Sequence, residues 1–372
     1  MNALFLSHQH ALSPGGGGQQ LCSREYHATL ADAGFNLVNV TFQTDRAPLT
    51  RLRRKFFRAP YANLIPAEFF SRVADSTREH QPAFVFCNLY ELIPYGAQLR
   101  QLLPPGAKLV LLSHGLASVD EVHAARIARQ GLGARHLRQV SEAWLGQMLR
   151  AESEGLPAFD HVFCLAAFEV EICKWLGANS ASWLPRTIPT DRCLTWQPAG
   201  DRVGIVGTLD HPPNLEGVEL FCAALSAVGP GKLRLRIVSR SDAVVSDLAA
   251  RYSFVDNLGP LDKSGAVEAE ASSWNAFLHP IFCHAMGCST KVATGLSWGL
   301  PVLTSAAGLR GYVWKEGRLP CFETPADFAR AALDILNLDC AIRQHHEVLK
   351  IVQSTPDISG VARQVKASLN LE

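Results

Sequence analysis

The sequence predicts an α/β protein of two Rossmann-like, doubly wound domains facing each other across a cleft. Three observations predict it. Short apolar runs alternate with helix-length amphipathic stretches through most of the 372 residues, the pattern of parallel strands joined by crossover helices. The alternation breaks at LPRTIPTDRCLTWQPAGDR (Leu184–Arg202), where three prolines and several polar residues read as a linker. It then resumes with a second series of strands and helices.

In the first series, NALFLS (Asn2–Ser7) is a strand, followed by a glycine-rich loop and a helix from about Gln19 to Ala33. FNLVNVTF (Phe35–Phe42), AFVFCN (Ala83–Asn88) and KLVLLSH (Lys108–His114) are the next strands, the last two continuous enough to be buried on both faces. Val119–Glu154 reads as a long, mostly helical connection. FDHVFCLA (Phe159–Ala166) leads into the helix AAFEVEICKWLG, which Gly177 ends. The second series comprises RVGIVGTL, LRLRIVSR, YSFVDNLG, NAFLHPIF and LPVLTS, with helices between them. Ligands of open α/β sheets bind beyond the carboxyl ends of the strands, so the loops after each strand carry the search.

Composition narrows the function. A formal net charge of +1 gives no global field for nucleic acid, so any anion must be held locally. Ten cysteines are scattered without a C-x-x-C pair and read as buried thiols in a reducing compartment. No apolar run reaches the roughly 18–20 residues a bilayer span needs, and the start lacks the basic residues of a signal peptide. The expectation is a cytoplasmic protein, with room for peripheral contact at the inner face of the membrane.

SPGGGGQQLC (Ser13–Cys22) raises the question of what passes so close that Gly15, Gly16, Gly17 and Gly18 carry no side chain. Four ordered glycines are entropically costly. The loop lies between a strand and a helix N-terminus, where amides attract anions. It is neither G-x-G-x-x-G nor a triphosphate-binding loop, and it reads either as an anion cradle or as a slack connection. In the second half, Gly287-Cys288-Ser289-Thr290 precede Lys291 and a helix. Small residues, a hydroxyl and a lysine at a helix start suit a diphosphate.

These stretches together resemble the family 4 glycosyltransferases, of the architecture called GT-B, glycosyl transferases group 1-like. VGTLDHPPNLEGVELF is similar to that family's opening of the second domain, FVDNLGPLD to its short strand and glycine turn, and GCSTKVATGLSWGLPVLTSAAGLRG to its donor-site block. The resemblance implies an acceptor-side domain over 1–187, a nucleotide-sugar domain over 201–350, and a last helix, 351–372, packing back toward the first domain. It implies transfer of a sugar from a nucleotide-sugar to a glycan, lipid-linked or small-molecule acceptor, retaining and without an essential metal or other cofactor. A bacterial-type role in polysaccharide or glycoconjugate biosynthesis goes with it.

Residue by residue, the resemblance places Gly15–Gly18, Thr290, Lys291 and Arg240 at the donor diphosphate, and Gly207, Thr208, Gly287, Ser289 and Thr294 around the nucleotide and ribose. His114 would contact the transferred sugar; otherwise it is a histidine closing a strand end. Two glutamates that many members carry eight positions apart are here Met286 and Thr294, and Thr208 and Asn214 stand where an arginine and a lysine are usual. Neutralisation then rests on Lys291 with Arg240 or Arg310, and at least one of those cations should point inward, since a desolvated diphosphate without counter-charge is costly. The departures leave an alternative: a GT-B-shaped binding or scaffold subunit partnering an active transferase. An epimerase would want further carboxylates in the cleft, and a dehydrogenase the dinucleotide fingerprint.

Four further groups stand beside these motifs. His279, Cys283, His284 and Cys288 have a zinc-like composition, but along a strand alternate residues face opposite ways. No metal is therefore expected, and His8 and His10 read as loop residues. RLRRKFFRAPY (Arg51–Tyr61) puts five basic residues beside two phenylalanines, a solvated segment or a contact with an anionic membrane surface. Glu152, Glu154, Glu169 and Glu171 read as exposed helix charges.

Overall fold

The computed structural model describes residues 1–14, 17–129, 142–283 and 285–371. Gly15, Gly16 and His284 lie outside them.

The first domain runs β1 (Asn2–His8), α1 (Gly18–Asp32), β2 (Asn36–Phe42), α2 (Pro48–Phe56), α3 (Ala67–His80), β3 (Phe84–Asn88), α4 (Gly96–Gln101), β4 (Lys108–Ser113), α5 (Ala117–Arg129), α6 (Glu142–Gly155), β5 (His161–Cys164), α7 (Ala167–Trp175) and β6 (Ala181–Trp183). Its six strands are parallel, in the order β2-β1-β3-β4-β5-β6. The second domain runs β7 (Arg202–Val206), α8 (Pro212–Val228), β8 (Arg234–Val238), α9 (Asp242–Arg251), β9 (Val255–Asn257), α10 (Ala266–Ala271), β10 (Ala276–His279), α11 (Thr290–Ser297), β11 (Val302–Ser305), β12 (Cys321–Phe322), α12 (Pro325–Asp334) and α13 (Leu338–Ser354). Its strands are also parallel, in the order β12-β11-β10-β7-β8-β9. α14 (Ile358–Ser368) completes the chain's helices among the described residues.

The two-residue period of the strands builds both cores. On β1, Leu4 and Leu6 enter one apolar cluster while Ala3 and Phe5 enter the cluster on the opposite face, and Leu109 and Leu111 alternate likewise with Val110 and Leu112 on β4. Each such side chain contributes about 1.5–3 kcal/mol by leaving water. In the second domain Ile205 and Ile237 lie on one face and Val302 and Phe277 on the other. Sheets held on both faces are rigid platforms, and what they position is their carboxyl-end loops.

Both sheets reverse direction at one place. In the first, β1 and β3 flank the point where the strand order turns; in the second, β7 and β10 do. The loops leaving these four strands include Gly17–Gly18, Leu89–Tyr90, Gly207–Thr208 and residues 280–283 and 285–289. Such switch points open a crevice.

The chain joins the domains twice. After β6, Arg186 and Thr187 hold Glu25 of α1: Arg186 Nε lies 2.6 Å from Glu25 Oε2, and the Thr187 hydroxyl donates to Oε1 at 2.8 Å. After α13, residues 355–357 turn the chain back, and Val361, Ala362 and Val365 of α14 pack with Tyr26 and Leu30 of α1. α13 ends at Ser354 and α14 begins at Ile358. Asp357 caps α14, accepting from Gly360 N at 2.7 Å.

Candidate functional site

The crevice between the domains is a cavity of about 700 Å³ lined from both sheets. From the first domain come Gly17, Gly18, Cys22, Tyr90, His114 and Asp120; from the second come Gly207, Thr208, Asn214, Met286, Thr290, Lys291, Thr294 and Arg310.

Its walls touch through bare backbone. Gly115, at φ +128°, has no room for a Cβ, which would sit 2.5 Å from Met286 Cβ. Gly287, at φ +62°, would put one 2.2 Å from the carbonyl oxygen of His114. Both positions need a left-handed backbone and a close neighbour, so only glycine fits either. Two carboxylates then fasten the loop. Met286 N donates to Asp120 Oδ1 and Gly287 N to Glu169 Oε1, each at 2.8 Å.

That clamp corrects two sequence expectations. Glu152 and Glu169 are not exposed helix charges; both are fully buried. Glu152 accepts from Ser118 N at 3.0 Å and from the Ser118 hydroxyl, capping the start of α5. Glu169 has its carboxyl pushed up to about 7 by burial, against the pull of the Gly287 and Leu116 amides. Glu154 and Glu171 are exposed and paired with Arg150 and Lys174. The amide of Gly287, read as part of the nucleotide region, is already engaged by Glu169.

Two helix N-termini border the cavity. α1 begins at Gly18 and its N-cap, Gly17, offers no side chain. α11 begins at Thr290, and its N-cap Ser289 turns its hydroxyl to His279 Nε2 at 2.7 Å instead of capping the helix. First-turn amides have no partner inside a helix, and each N-terminus carries about half a positive charge. The ends are adjacent: a Cβ at Gly18 would lie 2.9 Å from the Thr290 side chain. What passes closest to Gly18 is therefore Thr290 of the other domain.

Lys291 crosses over Gly207, where a Cβ would come within 2.6 Å of its Cε. Burial, and then the charge of Arg310, pull its ammonium down to about 8. Arg310 donates from Nη1 to the Ala307 carbonyl at 2.9 Å, and its buried Nε has no partner. Among the described residues neither cation forms an ion pair with a carboxylate. Arg240 does not join them. It is an exposed residue paired with Asp262 at 3.2 Å and does not line the cavity, so the inward cation beside Lys291 is Arg310.

His114 is held by a chain of bonds that fixes its ring. Ser23 donates to Gln19 O at 2.8 Å and accepts from Asn88 Nδ2 at 2.9 Å, which turns Asn88 Oδ1 toward His114 Nε2 at 2.8 Å. Nε2 therefore carries the proton and Nδ1 is left as an acceptor. Burial, then the charge of Arg186, hold the imidazole down to about 3, so it stays neutral near pH 7. Farther along the wall, Asn214 donates to the Thr208 carbonyl at 3.0 Å and the Thr294 hydroxyl to the Thr290 carbonyl at 3.1 Å. Neither Met286 nor Thr294 supplies a carboxylate there. Among the described residues no group of three or more His, Cys, Asp or Glu converges as a metal site.

The clamp makes the seam titratable. Glu169 binds its proton more tightly when folded, so its contribution to stability is complete below the usual carboxylate pKa and is lost as pH rises through about 7. Glu169→Gln keeps an oxygen for Gly287 N but does not titrate. Its unfolding midpoint relative to the parent should therefore climb between about pH 4.5 and 7. Calorimetry that finds a constant difference across that window contradicts the burial argument.

The fold has known counterparts. Residues 200–338 match the family described as Glycosyl transferases group 1. Sucrose-phosphate synthase from Thermosynechococcus elongatus is similar over 99% of this chain and 98% of its own, at 16% identity and a TM-score of 0.71. The apo lipopolysaccharide outer core galactosyltransferase WaaB is similar over 100% and 99%, at 13% identity and a TM-score of 0.63. A UDP-glucose:anthocyanidin 3-O-glucosyltransferase solved with UDP covers 99% of both chains, at 11% identity and a TM-score of 0.54. No curated protein matches by sequence. The second domain thus resembles the group 1 glycosyltransferases over residues 200–338, and the chain has the GT-B fold over its whole length.

Proposed function

We propose that this glycosyltransferase moves one sugar from a nucleotide-sugar to a glycan or lipid-linked acceptor, with the donor diphosphate held between Lys291, Arg310 and the first turns of α1 and α11. The observation that carries the reading is the meeting of two cations lacking carboxylate partners among the described residues with two helix ends that no side chain caps. Two full charges and about half a charge from each helix suit a diphosphate.

As the bond from the sugar to the diphosphate breaks, negative charge gathers on the leaving oxygen. Donors already aimed at that place stabilise it without reorganising. The neutral His114, with Nδ1 as acceptor, would take a hydroxyl of the transferred sugar. Retention of configuration follows the family resemblance, and the reading assigns the leaving charge to these cations and amides rather than to a divalent metal. The ribose would be held without a carboxylate, by Thr294 and neighbouring backbone.

The acceptor-side domain offers a second feature. α2 buries none of its residues, and Leu49, Leu52 and Phe56 share one face at 60%, 60% and 77% exposure, with Phe57 at 70% beside them. Arg51, Arg53, Arg54, Lys55 and Arg58 surround that face, and among the described residues none of the five is in an ion pair. Apolar anchors ringed by cations favour an anionic bilayer surface, each cation adding about 1 kcal/mol. A lipid-linked acceptor would be met there.

UDP is the first probe, because similar structures hold it. At a hundred times its dissociation constant a true ligand should stabilise the fold by about 2.7 kcal/mol. Affinity should fall as pH rises through about 8, as the Lys291 ammonium of the free protein is lost. Lys291→Ala should lower transfer by about 10²–10³ with little change in unfolding midpoint; unchanged transfer sinks its role. Nucleotide binding without transfer to any acceptor would favour the scaffold reading, for which Met286 and Thr294 speak.

Co-sedimentation with vesicles tests the surface. Binding to phosphatidylglycerol but not phosphatidylcholine vesicles, reduced at least tenfold in Phe56→Ser/Phe57→Ser on the order of the transfer cost of two aromatic side chains, is expected. Equal binding by parent and variant contradicts it.

A further inference from the structure

Two thiols face each other at the same seam, one from each domain. Cys22 stands on α1 and Cys288 in the loop before α11, both on the wall of the cleft. A single guanidinium nitrogen touches both. Arg186 Nη1 lies 3.2 Å from Cys22 Sγ and 3.8 Å from Cys288 Sγ, while Nε of the same group is anchored on Glu25. Arg186 is itself 4% exposed, so its charge acts in a poorly screened place.

We infer that Cys22 and Cys288 form a redox site at which peroxide joins the two domains by a disulfide, shutting the cleft. The chemistry divides between the thiols. The neighbouring Cys22 thiol, then the Arg186 charge, favour the thiolate of Cys288 against the cost of burial, whereas Cys22 is held protonated. Cys288 is also the more exposed of the two and borders the cavity by which peroxide enters. Its thiolate attacks one oxygen of hydrogen peroxide; the O–O bond breaks, leaving the sulfenic acid Cys288–SOH and hydroxide. The sulfur of Cys22 then attacks that of Cys288, the S–O bond breaks, and the departing hydroxide takes the Cys22 proton as water. Two thiols and one peroxide give one disulfide and two waters, and an external dithiol reverses the step.

The chain contains its own control. Cys164 and Cys173 have their sulfurs 3.7 Å apart, but both lie inside the first domain, fully buried. The hydrogen bond with Cys173, then burial, push the Cys164 thiol up, and among the described residues no arginine touches either sulfur. Proximity alone would oxidise that pair as well; a cation and access to the cleft select the other.

The disulfide is a matter of these thiols alone, while its effect on transfer rests on the donor reading. The experiment exposes the full chain to a small molar excess of hydrogen peroxide. It then blocks remaining thiols with N-ethylmaleimide under denaturing conditions, digests without reductant and maps the products by mass spectrometry. A peptide pair linking residues 22 and 288 is expected, lost on adding dithiothreitol and absent from Cys22→Ser, in which dimedone should trap a sulfenic acid at Cys288. Cys164 and Cys173 should be recovered as alkylated thiols. Recovery of Cys288 as an alkylated thiol, a 164–173 link formed first, or dimedone on Cys22 in Cys288→Ser at the parent's rate would each overturn the inference. Slower oxidation in the presence of UDP reports on the donor reading separately, since the link forms or fails without nucleotide.

Discussion

The amides of Met286 and Gly287 each donate to a carboxylate of the opposite domain, Asp120 and Glu169, and the position of the site depends on those two bonds. They fix the loop that launches α11, and with it the direction of the uncapped N-terminus and of Lys291. The bare contact of Gly115 with Met286 and of Gly287 with His114 lets the walls come close enough for this to happen. A side chain at either glycine would separate the halves of the site before any change in its chemistry.

Around that seam the protein keeps charge desolvated and poised. Lys291 is held near 8 because burial and a neighbouring arginine disfavour its charged form, a condition that an incoming anion relieves. His114 is the opposite case: a neutral ring whose tautomer is set by Asn88 and Ser23, so it can accept but not supply charge. The same economy explains Arg186, whose guanidinium fastens the interdomain linker to Glu25 and at the same time faces two sulfurs. The two sheets, buried on both faces, keep all these groups in register.

Much of this could be read from the sequence, and the parts that could not have a common cause. The strands of both domains announced themselves as apolar runs, and Lys291 with its small-residue loop is a contiguous signal next to a helix start. β6 and β12, three and two residues long, are too short to carry a period. Glu169 and Asp120 meet their partners 118 and 166 residues away, and no local pattern encodes such a pairing. One signal was present, though. Glu169 stands four positions before Cys173, and Glu152 four after Met148, so each acid occupies a place in its helix's buried stripe. An acid in an apolar stripe asks for a partner, as an acid on a solvated face does not. Arg240 misled for the converse reason: a cation close in sequence to a strand end found Asp262 on the surface instead.

The account's central claim is that both domains hold one diphosphate at once. Amide hydrogen exchange, read by mass spectrometry with and without UDP, tests this directly. Added protection should appear together in peptides covering Gly18–Leu21 of α1 and Thr290–Ala293 of α11, with none in the exposed α2. Protection confined to one domain, or absent at both helix starts while UDP is bound, would contradict it.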